Sequence, residues 1–324
     1  MGEATTALLL HPDCGRHDPG WGHPEHQGRL PAIVSALEKA TPEFLGKVLQ
    51  KPAEPAPPEA LEECHSARMI ARVREAVAQA GTAGAPVALT EDTSVSAASW
   101  DAALAAVGCA LAGVDLVLDG AVASAFALCR PPGHHATPVR SMGFCLFNAV
   151  ALAARRAQAK GARRVLIVDW DVHHGNGTQE IFWRDPEVFY LSLHQWPWYP
   201  GTGAATERGG GPGEGTTMNR PLPAGTPAPT YVAEFREAVE AACRAHRPDV
   251  LMISAGFDAL AGDPLGGFLL EPADMHALTL AALDIAGDGV PVLLTLEGGY
   301  DPRRTGTGVV EVLRALAGLP SASV

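Results

Sequence analysis

Val165-Leu-Ile-Val-Asp-Trp-Asp-Val-His-His-Gly-Asn-Gly-Thr178 changes character halfway along. Val165 to Val168 is a short apolar run rich in β-branched residues, the pattern of a fully buried strand. It then turns into Asp169, Asp171, His173, His174 and Asn176, with Gly175 and Gly177 between them. Carboxylates and imidazoles at the end of a buried strand are costly to desolvate unless something engages them. In open α/β sheets the ligand crevice lies at the carboxyl ends of the strands, where this cluster falls. Asp171 and His173 lie two apart, so an extended backbone points them the same way. A carboxylate and an imidazole converging on one point form half of a metal site, and metal-dependent hydrolysis is the chemistry this predicts.

The other half is expected from other strand ends. Apolar runs at Thr5 to Leu10, Val122 to Leu128, Val188 to Leu193, Val250 to Ser254 and Val292 to Leu296 read as strands. Helical patterns separate them: one beginning at Arg29, then Ala67 to Ala80, Trp100 to Leu118 with Ser99 as cap, Ala149 to Lys160, Tyr231 to Ala245, Ala273 to Ala286 and Thr307 to Ala317. This alternation predicts a mainly parallel sheet covered on both faces. Unusual residues recur after the strands: Arg130-Pro-Pro-Gly-His-His135, Ala255-Gly-Phe-Asp258 and Glu297-Gly-Gly-Tyr300. Asp258 would complete an Asp₂His ligand set with Asp171 and His173, leaving a position open for water and a carbonyl oxygen. Zinc suits such a set, and ferrous iron is the alternative. His134 and His135 have the pKa range for a base and an acid, with Asp169 and Asn176 as orienting acceptors. The Tyr300 hydroxyl is a donor for a developing oxyanion.

Composition narrows the classes. The 324 residues are 47% hydrophobic, enough for a large core, and the net charge of −12 argues against a nucleic-acid surface. Six cysteines without a C-x-x-C pair predict reduced thiols in a cytoplasmic protein. No apolar run is read as approaching the roughly 18 residues of a membrane span. Met1-Gly-Glu-Ala-Thr-Thr6 matches a bare myristoylation pattern by chance, ahead of the first core strand. His11, His17, His23 and His26 crowd a loop read as polar surface. Gly201 to Gly215 lacks a following Lys-Ser/Thr and is not a phosphate cradle.

Taken in series, Arg130-Pro-Pro-Gly-His-His, Gly143-Phe-Cys, Asp169-x-Asp-x-His-His-Gly-Asn-Gly-Thr, Ser254-x-Gly-Phe-Asp and Glu297-Gly-Gly-Tyr resemble the histone deacetylase superfamily. Asn176 and the glutamate before Gly-Gly-Tyr are most similar to class II and bacterial deacetylase-like amidohydrolases. The resemblance implies an arginase/deacetylase α/β fold: a single domain over residues 1–324 whose central, mainly parallel sheet has eight strands flanked by helices. It implies a zinc-dependent amidohydrolase that releases acetate and free amine from acetyl-lysine substrates. Zinc would be held by Asp171, His173 and Asp258, with His134 and His135 as the proton-transfer pair and Tyr300 as carbonyl polariser. Gly143, Phe144 and Tyr199 would wall an acyl-lysine tunnel. Asp92 would grip the substrate backbone, and Arg29 would lie near an internal product cavity. A potassium ion would sit on mostly backbone oxygens of Asp169, Asp171, His173, Ser192 and Leu193.

The position seven residues after the third ligand faces the tunnel mouth in that family, and here it is Leu265 rather than a charged residue. Acetylated lysine peptides are therefore the expected partners and acetylpolyamines the alternative, with no nucleic acid or membrane and an open oligomeric state. A non-catalytic acyl-lysine module would tolerate loss of His135 or Tyr300, and both are present. A two-metal ureohydrolase would need further carboxylates where this chain has Gly175 and Gly256.

Overall fold

The computed structural model describes residues 6–322. The amino-terminal Gly2 pattern lies outside them. In chain order the strands are β1 (Thr6–Leu9), β2 (Val48–Lys51), β3 (Val87–Ala88), β4 (Ser94–Val95), β5 (Ser124–Ala127), β6 (Val165–Asp169), β7 (Val188–Gln195), β8 (Thr217–Leu222), β9 (Val250–Ala255) and β10 (Val292–Leu296). The helices are α1 (Arg29–Phe44), α2 (Ala67–Ala83), α3 (Ser99–Leu118), α4 (Ala149–Ala159), α5 (Asn176–Phe182), α6 (Ala228–His246), α7 (Pro272–Ala286) and α8 (Pro302–Leu316).

Eight strands form one sheet in the order β2-β1-β5-β10-β9-β6-β7-β8, and every pair in it is parallel. β3 and β4 make a small separate hairpin. The inner strands β5, β6, β9 and β10 are buried at every residue, as strands covered on both faces must be. Helices α1, α8, α7 and α6 pack in succession, and α3 and α4 form a second pair against the sheet. This is the α/β architecture expected.

Four strands were not expected, the hairpin strands β3 and β4 and two in the sheet. β2 (Val-Leu-Gln-Lys) and β8 (Thr-Met-Asn-Arg-Pro-Leu) lie at the two edges, half-exposed and polar, with Pro221 where only an edge tolerates it. Three further readings are corrected. Ser99 lies inside α3, after an N-cap at Ala98 that makes no side-chain bond; its hydroxyl instead meets His17 Nδ1 at 2.7 Å. The histidine loop is only partly surface: Trp21 and His26 are exposed, His11 and His23 are half-buried, and His17 is buried. And α3, at 20 residues, does meet the length and apolarity of a membrane span, with 67% of its apolar window buried. It is a core helix against β5, β10 and β1, and Gly113 lets it close on Leu293.

Candidate metal centre and cavity

All eight strands of the main sheet being parallel, their carboxyl ends meet at one rim, and the unusual residues come together there. Asp171 and His173 follow β6, Asp258 follows the neighbouring β9, and Gly298 follows β10 on its far side. One ligand atom from each of Asp171, His173 and Asp258 lies within 4.8 Å of the others, and all three residues are buried. His173 Nδ1 is 3.1 Å from Asp171 Oδ1 and 3.2 Å from Asp258 Oδ2. The backbone N–H of Gly298 donates to Asp171 Oδ2 (2.8 Å) and that of Val172 to Asp258 Oδ1 (2.9 Å), fixing both carboxylates. Burial and the Asp171 carboxylate push Asp258 up to about 7. Two dry carboxylates facing one imidazole nitrogen make a donor set that a divalent cation fits, because it would neutralise what the protein cannot.

Glycine makes the cradle. A Cβ on Gly298 would stand 2.1 Å from Asp258 Oδ2, and one on Gly256 2.2 Å from Asp171 Oδ2. At Gly175 it would stand 2.2 Å from Asp169 Oδ2. The two positions at which a second set of carboxylates was considered therefore admit no side chain. A second group, His134, Cys145 and Glu297, is equally compact. Its donors are engaged otherwise: Glu297 Oε2 accepts the N–H groups of Gly133 (2.7 Å) and His134 (3.1 Å), and His134 Nδ1 is bonded to Asp169.

The tandem histidines are oriented as expected. His134 Nδ1–H donates to Asp169 Oδ2 (3.0 Å), and His135 Nδ1–H donates to Asn176 Oδ1 (2.8 Å). Burial opposes a charge on His134, but the carboxylates of Asp171 and Asp169 outweigh it and raise its pKa to about 10. Burial and the neighbouring charges of His134 and His173 press His135 well below the ordinary imidazole value. Two adjacent imidazoles are thereby driven apart in proton affinity.

Above them opens a cavity of about 190 Å³ lined by Asp92, His135, Gly143, Phe144, His173, Trp198, Tyr199, Leu265 and Tyr300. Gly143 (φ +56°) closes on His135, to which a Cβ would come within 2.3 Å. The Phe144 ring meets that of Tyr300 edge-on at 5.7 Å, and Tyr199 meets His135 at 5.1 Å. The Tyr199 hydroxyl donates to Asp92 Oδ2 (2.7 Å). Burial opposes ionisation of Asp92, but bonds from Tyr199, Thr93 and Thr90 prevail and hold its carboxyl below the usual range. Arg29 is fully buried: Nε donates to the Gly299 carbonyl (2.7 Å), Nη2 to that of Glu297 (2.6 Å), and Nη1 to Glu25 (2.9 Å). Asp169, at the end of β6, is the register partner of Ser192 within β7, and Asp171 and His173 follow in the loop after β6.

Several participants were missed. The Tyr190 hydroxyl donates to Asp169 Oδ2 (3.0 Å), and Trp198 Nε1 to the Leu265 carbonyl (2.9 Å). Glu25 joins Arg29 to Arg130, and Asp263 accepts backbone N–H groups from both sides of the cavity. His23, from the histidine loop, packs on Phe144 at 4.5 Å. Glu25 and Arg29 lie four apart and Asp263 and Leu265 two apart, spacings a sequence can show, whereas the other partners meet only in three dimensions.

Comparison with known proteins bears on the family and the fold. The family model described as the histone deacetylase domain matches residues 23–316. Histone deacetylase 10, chloroplastic, of Oryza sativa subsp. japonica is 39% identical over 316 residues, covering 92% of this chain and 70% of that protein. An uncharacterized protein of Synechocystis sp. is 40% identical over 312 residues, 96% of this chain and 99% of the other. The crystal structure of the HDA15 HD domain superposes with a TM-score of 0.91 at 38% identity, covering 98% of this chain and 90% of that one.

Proposed function

The chain belongs to the histone deacetylase family, a family of hydrolases, and from that premise we propose that it cleaves the acyl amide of acetyl-lysine side chains with a zinc ion held by Asp171, His173 and Asp258. The observation that carries this reading is one narrow cavity with apolar walls, Phe144, Tyr199 and Trp198, and polar groups, His135, His173 and Tyr300. An aliphatic lysine stem suits the walls, and an amide suits the polar end.

Zinc would supply the Lewis acid that polarises the carbonyl and acidifies the attacking water. His134 and His135 share the proton transfers, one nitrogen taking the water proton and the other protonating the leaving amine. Asp169 and Asn176 engage Nδ1 of each and so leave Nε2 of each for the reaction. With the charge of Asp171 neutralised by a cation, the upward push on His134 shrinks toward the range a base needs. The Tyr300 hydroxyl donates to the carbonyl oxygen as negative charge grows there. Asp92, steadied by Tyr199, accepts from the substrate backbone. Leu265 gives the rim an apolar contact and no charge for a distal amine. Potassium, on oxygens of Asp169, Asp171, His173, Ser192 and Leu193, would brace the strand ends. Residues 1–324 act as one catalytic domain.

The test is a panel of acetyl-lysine peptides and N-acetylpolyamines, assayed after chelation and again after zinc is restored. Activity should vanish on chelation, return with zinc, and favour acyl-lysine in kcat/KM. A preference for acetylpolyamines would overturn the substrate and leave the reaction class standing; no turnover of either would overturn both.

A further inference from the structure

Asp263 lies in the loop after β9, is only 7% exposed, and is five residues beyond the last proposed ligand. Its two carboxylate oxygens serve three backbone donors. Oδ2 accepts from the N–H of Tyr300 (2.6 Å) and Asp301 (3.2 Å), and Oδ1 accepts from the N–H of Leu265 (2.9 Å). Tyr300 and Leu265 both line the cavity. The Leu265 carbonyl in turn receives Trp198 Nε1 (2.9 Å), and Trp198 lines the cavity as well. A run of hydrogen bonds therefore crosses beneath the cavity rim, from Trp198 through Leu265 and Asp263 to Tyr300.

The stretch before Tyr300 needs such an anchor. Gly298 and Gly299 leave its backbone with wide latitude, and Gly299 sits at φ +123°, where other residues are strained. Arg29 holds the Gly299 carbonyl from one side. Asp263 holds the Tyr300 amide from the other. Only a carboxylate satisfies all three donors: an asparagine has one acceptor oxygen, and its NH₂ would face an N–H. A hydroxyl that must meet a carbonyl oxygen in the transition state loses effect steeply when displaced.

We infer that Asp263 is a positioning residue that locks the Tyr300 hydroxyl in register with the Leu265–Trp198 rim; this rests on the roles proposed above for Tyr300 and Leu265. It acts through Tyr300 and touches neither substrate nor metal.

The experiment is a double-mutant cycle of Asp263→Asn and Tyr300→Phe, reading kcat and KM on an acetyl-lysine peptide, zinc content and thermal midpoint. Asp263→Ser, which leaves room for water at the same amides, runs alongside as a second variant. Asp263→Asn should lower kcat about 10–100-fold at full zinc content, the size expected of a misplaced catalytic group. In the Tyr300→Phe background the same change should cost less than about threefold, because the group it positions is gone. Losses that multiply, or zinc lost from the Asp263 variants, would reduce Asp263 to a structural residue. An inactive wild type would sink the function itself, and this proposal with it.

Discussion

Each proposed role has a single-residue consequence. Asp258→Ala should abolish zinc binding and activity together, because three ligands leave no spare; full zinc by elemental analysis would remove Asp258 from the site. His135→Ala should keep its metal and lose roughly 10²–10⁴-fold in kcat, the span of general acid–base catalysis. Near-normal turnover there would refute the proton-transfer assignment. Tyr300→Phe should lower kcat on the order of 10²–10³-fold, as one oxyanion donor does, and an effect confined to KM would make it a binding residue only. Leu265→Glu should raise the ratio of acetylpolyamine to acetyl-lysine kcat/KM, since it adds a carboxylate at the cavity lining.

At the scale of elements, the strand ends matter more than the strands. Gly256 and Gly298 each stand against a carboxylate of the ligand set. Gly298→Ala should cost about 10–100-fold in metal affinity, as disturbed support of ligands does, with the strands intact; unchanged zinc affinity would show that the cradle yields. The inner strands were legible in the sequence because burial on both faces demands continuous apolar runs, and the helices between them, except the short α5, by their helical patterning. The cluster of Asp171, His173 and Asp258 proposed to hold the metal was legible for the same reason, as polar residues that broke such runs. The edge strands β2 and β8 were not, being short, polar and paired on one side only. Ser99 misled because a serine before an apolar helix reads as a cap, whereas its partner His17 is 82 residues away.

For the molecule as a whole, buried neutral histidines tie stability to pH. His65 Nδ1–H donates to the Thr137 carbonyl (2.9 Å), and Nε2 accepts the Asn148 N–H (2.9 Å), joining the start of α2 to the start of α4. Burial lowers its pKa to about 4. Between the ordinary imidazole value and that one, the unfolded chain binds a proton that the folded chain refuses. This contribution is complete above about pH 6.5 and is lost as pH falls toward 4. His65→Gln can keep both bonds and cannot titrate. Between pH 7 and pH 5 the wild type should therefore lose about 2 kcal/mol more than the variant, from roughly 1.4 kcal/mol per pH unit below the ordinary value. Urea unfolding at both values measures this, and parallel losses would refute it.

The order β5-β10-β9-β6 also has a meaning in time. β9 lies between β6, which carries Asp171 and His173, and β10, whose end supplies the Gly298 amide to Asp171. Val165 pairs with Val250, and Ser124 with Val292. On a ribosome Asp171 and His173 emerge well before Asp258, and long before the strand whose end steadies Asp171. Pairings so distant in sequence close late. The proposed zinc site is therefore among the last parts of the molecule to exist, and a nascent chain halted before Val292 should bind zinc far more weakly than the full chain.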